Sequence, residues 1–135
     1  MKKILTFALS LVFILCCIPN AEVDAAILWT NISSIDLNMQ SANGIGEIVV
    51  CVGTVDEESE IAVTAALYVK ATSGKWIEVT PDDWETQTAT GVIAYFGFTY
   101  TGNNYARYKV DITVDVTLNG YTETITDSAE NSLQP

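Results

Sequence analysis

Carboxylates are the main chemistry this chain offers, because none of its 135 residues is histidine. Without an imidazole there is no Ser-His-Asp or Cys-His nucleophile pair, and the ligand set of most zinc sites is missing. No phosphate-binding loop, dinucleotide fingerprint or nucleophile elbow occurs. Among the carboxylates, Asp111 and Asp115 share one face of an alternating run. Their spacing on a strand is roughly 13 Å, whereas the paired carboxyls of glycoside hydrolases stand about 5 to 9.5 Å apart. With Lys109 and Thr113 beside them they read as a solvated face. No catalytic residue is expected, and the chain reads as a non-enzyme.

Two acidic clusters fall between apolar runs, where loops carry binding groups: Asp56-Glu57-Glu58 with Glu60, and Asp82-Asp83 with Glu85. Calcium takes about six to eight oxygens, and Asp82, Asp83 and Glu85 are the candidate ligands. Neither cluster has the EF-hand spacing, and a solubilising loop explains both. The remaining candidates are aromatic. Alternation places Tyr68 and Tyr95 on outward faces, and Trp76 also faces out if Ile77 and Val79 face in. A short hairpin loop would set Trp76 directly opposite Tyr68. The candidate ligand-binding residues are therefore Tyr68, Trp76, Trp84 and Tyr95, fit to stack on a sugar or to anchor a partner protein. The plainer alternative is that the rings only shield a sheet.

These groups need elements to hold them, and the elements read as strands. Short runs rich in β-branched and aromatic residues recur between turn clusters: Ile32–Met39, Glu47–Val55, Ile61–Lys70, Lys75–Thr80, Thr90–Tyr100, Tyr105–Leu118 and Tyr121–Thr126. Such spacing is the signature of a sandwich or barrel, and seven strands is the immunoglobulin-like count. The expected fold is an all-β, immunoglobulin-like Greek-key sandwich. Asn119-Gly120 predicts a type I′ turn, which pairs Leu118 with Tyr121, Val116 with Glu123 and Val114 with Ile125. Paired residues share a face, so Glu123 lands among apolar side chains. It must reach a rim, or a bulge must re-aim it.

The ends give an address. Lys2 and Lys3 precede the apolar run Ile4–Ile18, and Val23-Asp24-Ala25 supplies short residues for a signal peptidase. The run is shorter than the roughly 20 residues that cross a bilayer, so residues 1–25 read as a cleaved secretory signal and 26–135 as one domain. Leu15 and Cys16 before the two cysteines argue against lipid attachment at Cys16 or Cys17. The whole chain carries a net charge of −11, and 26–135 carries the same, since two basic and two acidic residues leave with the signal. That surface repels nucleic acid and anionic membranes. Cys51 alone remains, without an internal partner, in the apolar run "EIVVCVGTV", where it reads as a buried small hydrophobe.

Three stretches, "SGKW" (Ser73–Trp76), "YARYKVDITVDV" (Tyr105–Val116) and "NGYTETITDSAEN" (Asn119–Asn131), carry a resemblance. The chain resembles small secreted proteins of Gram-positive bacteria that have a signal peptide and one immunoglobulin-like or fibronectin-type β-sandwich. The resemblance implies a fold and an extracellular address, and no activity. Ala106 before Arg107 and the acidic "VDEESE" run depart from it. The function expected is a secreted, non-enzymatic binding module for an extracellular protein or glycan. The alternative is a carbohydrate-binding or calcium-assisted accessory domain, less readily a hydrolase working through carboxylates alone.

Overall fold

The computed structural model describes residues 29–135; the expected signal segment, residues 1–25 with Cys16 and Cys17, lies outside the described residues. Among the described residues there are eight strands: β1 (Ile32–Ala42), β2 (Ile45–Thr54), β3 (Glu60–Lys70), β4 (Trp76–Glu78), β5 (Gln87–Thr90), β6 (Ile93–Thr101), β7 (Arg107–Leu118) and β8 (Tyr121–Ser132). One sheet has the order β1-β2-β6; the other runs β4-β3-β7-β8, with β5 also paired to β3. Every pairing is antiparallel. The chain crosses between sheets after β2, β5 and β6, which is the Greek-key partition of an immunoglobulin-like sandwich.

Alternation builds the core. Tyr108, Val110, Ile112, Val114 and Val116 of β7 are buried, and they meet Ile61, Val63, Ala65 and Leu67 of β3 within their own sheet. Ile48, Val50 and Val52 of β2 and Ala94, Phe96, Phe98 and Tyr100 of β6 cover them from the other sheet. The hairpin has the expected register, Leu118 with Tyr121 and Val116 with Glu123. Asn119 and Gly120 both have positive φ (54° and 81°), as a type I′ turn requires.

Four expectations are corrected. The expected run Thr90–Tyr100 is two elements, because Gly91 turns with φ 137° between β5 on one sheet and β6 on the other. The last strand continues past Thr126 to Ser132, paired with β7 along its whole length. Cys51 is half-buried on an outer face rather than in the core, since its neighbours Val50 and Val52 take the inward positions. Finally, β4 is shifted by two residues: Tyr68 faces Glu78, and Trp76 faces Lys70.

Glu123 resolves its own anomaly. Its carboxylate accepts from three consecutive backbone N–H groups, Thr30 (2.9 and 3.1 Å), Asn31 (2.8 Å) and Ile32 (3.1 Å). Asn31, 3% exposed, donates its amide to the carbonyls of Val116 (3.0 Å) and Tyr121 (2.9 Å). The start of β1 is thereby clamped onto the β7–β8 hairpin of the other sheet. At the far end Ser41 Oγ donates to the Ser132 carbonyl and accepts from the Gln134 N–H, and Gly44 N–H donates to the Gln134 carbonyl. A third fastening closes the β6–β7 crossing. The Tyr108 hydroxyl accepts from the Asn103 N–H at 3.0 Å, and Gly102 has no Cβ because one would overlap that phenol. This is the tyrosine corner of immunoglobulin-like sandwiches.

Candidate functional site

The candidate aromatics do not assemble into one surface. Tyr68 and Trp76 lie on the outer face of the five-stranded sheet, diagonal to each other. The Lys109 ammonium stands 5.1 Å from each ring centroid, and Lys70 stands 5.7 Å from Trp76. Cation–π attraction thus ties both rings to Lys109. Trp84 serves the fold: it packs at 5.0 Å from Phe98 and donates its indole N–H to the Thr99 carbonyl. Gln87 donates likewise to the Gly97 carbonyl at 2.8 Å. Together they cap the free edge of β6, a device that stops edge-to-edge pairing. Asp82, Asp83 and Glu85 are exposed on the same segment, and among the described residues no three His, Cys, Asp or Glu side chains converge as a metal site needs.

Tyr95 stands apart, on the outer face of the three-stranded sheet and 71% exposed. Register places its neighbours. Cys51 and then Asp36 lie across from it, Ile93 and Gly97 flank it along β6, and Gly97 faces Val49 and then Asn38. The next row is Thr99, Glu47 and Gln40, with Gln40 donating to Glu47 at 3.0 Å. A hydrogen bond with the Cys51 thiol, and then its charge, hold the Tyr95 phenol above its ordinary pKa. Ile93 is 56% exposed, as is Val55 just beyond Gly53. The described Lys and Arg residues are Lys70, Lys75, Arg107 and Lys109, all on or beside the other sheet. The Tyr95 face therefore has Asp36 and Glu47 and no base.

No family model matches the sequence, and no curated protein matches it. Two solved structures of Parabacteroides merdae β-glucuronidase are similar in part. One, with glycerol in the active site, shows 12% identity and a TM-score of 0.44, covering 72% of this chain and 13% of the enzyme's. The other shows 12% identity and a TM-score of 0.41 over 76% and 13%. The chain thus spans 13% of the length of these enzymes, and the fold assignment rests on the strand topology.

A shallow groove of about 580 Å³ on the five-stranded sheet is lined by Glu60, Thr88, Thr90, Asp115 and Thr117. Thr124 donates to Asp115 at 2.6 Å, and Thr117 and Thr122 hydroxyls meet at 2.7 Å. These bonds hold the carboxylate and hydroxyls in place, and none is aimed at a nucleophile. Sequence reasoning found Tyr95 but passed over Val49, Ile93 and Gly97; the signal available was a glycine inside the strand "AYFGF", where glycine weakens a strand unless something approaches it.

Proposed function

We propose that this chain is an exported, non-catalytic binding module that meets an extracellular protein through the outer face of its three-stranded sheet. One observation carries the reading: Tyr95 and Ile93 project from the outer face of β6, the edge strand of the three-stranded sheet, 71% and 56% exposed, with nothing among the described residues over them. Exposed aromatic and β-branched side chains on a framework of paired strands lose little entropy on docking. Export follows from the signal-like residues 1–25, and the acidic surface suits a solute outside the cell. The absence of any histidine removes the imidazole-based nucleophile pairs.

A second reading, a carbohydrate-binding accessory module, is favoured by the hydroxyl-lined groove beside Asp115. Titration of the isotope-labelled protein with peptides and oligosaccharides, read by amide shifts, separates the two. Shifts at Val49–Gly53 and Ile93–Thr99 that vanish in Tyr95→Ala support the protein partner. Shifts confined to Glu60–Ala62, Thr88–Thr90 and Asp115–Thr117, lost in Asp115→Asn, would replace it with the sugar reading.

A further inference from the structure

Glycine is used eight times, and at seven of those positions the fold accounts for it. Gly44, Gly74, Gly91 and Gly120 have positive φ, which side-chain-bearing residues rarely adopt. At Gly46 a Cβ would strike the Tyr100 ring, at Gly53 the hydroxyls of Ser33 and Ser34, and at Gly102 the Tyr108 phenol. Gly97 is different. Its φ is ordinary for a strand, and a Cβ there would meet only the Ile48 carbonyl, at 3.9 Å, an ordinary contact. The middle of β6 therefore carries a strand-weakening residue that its own packing does not require.

The register runs through Gly97 without a bulge, and the other use of a strand glycine is to let a ligand or another chain come close. With no Cβ at Gly97 the outer face drops to backbone there, a dent that register sets beside Val49 on β2 and two residues along β6 from Tyr95. Its rim includes Asp36 in the row on one side, Glu47 in the row on the other and Asn38 at the far end. An apolar side chain, a ring and two carboxylates without a neighbouring base complement a long cationic side chain. Its methylenes would lie on Val49 and against Tyr95 while its head reaches Glu47 or Asp36. We propose that this dent receives a lysine or arginine from an exposed segment of a partner protein. The inference rests on the binding-module reading and names the partner's chemistry.

Three probes test it on the labelled protein: an eight-residue peptide alternating Lys and Val, its Asp–Val counterpart, and a neutral oligosaccharide. The Lys peptide should shift amides at Asn38, Glu47–Cys51 and Tyr95–Thr99, and the Asp peptide should shift none. Gly97→Ala should leave the melting temperature unchanged or raised while weakening the Lys peptide at least tenfold. Glu47→Gln should weaken it severalfold and flatten its salt dependence. Full affinity in Gly97→Ala, or Lys-peptide shifts spread over every acidic surface, would overturn the proposal. Shifts on this face with the oligosaccharide but not the Lys peptide would sink the cationic partner and leave the binding module standing. No shift on this face with any probe would sink both.

Discussion

Replacing Glu123 with alanine removes the single acceptor shared by the N–H groups of Thr30, Asn31 and Ile32. Thr30 is exposed, so water takes over there. Asn31 and Ile32 are 3% and 2% exposed, and their amides would be left with no replacement. A buried donor stripped of its partner costs about 1–3 kcal/mol, so the two together predict a loss of about 2–6 kcal/mol for Glu123→Ala. Glu123→Gln keeps one acceptor oxygen and should fall between the variant and the native protein. The control is Glu130→Ala. Its partner Arg107 is bonded at 3.3 Å, but both side chains are nearly half exposed (49% and 44%), so the change should stay within about 0.5 kcal/mol. Urea melts give the stabilities, and amide exchange locates the cause, since only Glu123 variants should unprotect Asn31 and Ile32. If Glu123→Ala proves no costlier than Glu130→Ala, the clamp does not hold the seam.

Ile112→Ala, at 1% exposure in the centre of β7, should cost about 2–5 kcal/mol through lost burial and a cavity, whereas Asp111→Ala should stay within about 0.5 kcal/mol; the reverse order in denaturant melts would make the outer face a site. Burial and then Tyr108 push the Tyr100 pKa up to about 12, against about 10 for the unfolded chain. The folded state favours the neutral phenol, so this contribution is whole below about pH 10 and lost as pH rises through the folded value. Tyr100→Phe should abolish that alkaline slope. Because the buried hydroxyl has no partner among the described residues, the same variant should be neutral or stabilising at pH 7; a loss above about 1 kcal/mol would reveal a bond to it. Millimolar calcium should leave the melting temperature nearly unmoved, and a calcium-selective rise of about ten degrees would make Asp82, Asp83 and Glu85 ligands after all.

What could be read from the residues was local. The period of two on β7 and the Asn-Gly turn set the hairpin register, and with it the inward faces of β3 and β7. Glu123 was visible as a misfit, but its partners are separated from it by more than ninety positions, beyond any pattern in a strand. Trp84 looked like a free ring because its partner, the Thr99 carbonyl, lies on an edge that only the sheet order creates. The register of β4 escaped because it is three residues long, too short for alternation to pin it. Cys51 was misplaced for a different reason: its apolar neighbours on β2 outweighed the parity that Val50 and Val52 dictate.

The seam between β1 and β8 also sets how the molecule would carry a load. Asn31 meets Tyr121 at one pole, and Ser41 meets Ser132 at the other. The two strands therefore run the same way, and Trp29 and Leu133 leave from opposite poles. Tension applied through the chain on either side would drag β1 and β8 in opposite directions along their length. The Glu123 carboxylate, the Asn31 amide, the Ser41 hydroxyl and the ladder between β1 and β2 would then be strained side by side in shear, not opened one after another as in a zipper. Pulled end to end, this sandwich should yield abruptly and at high force.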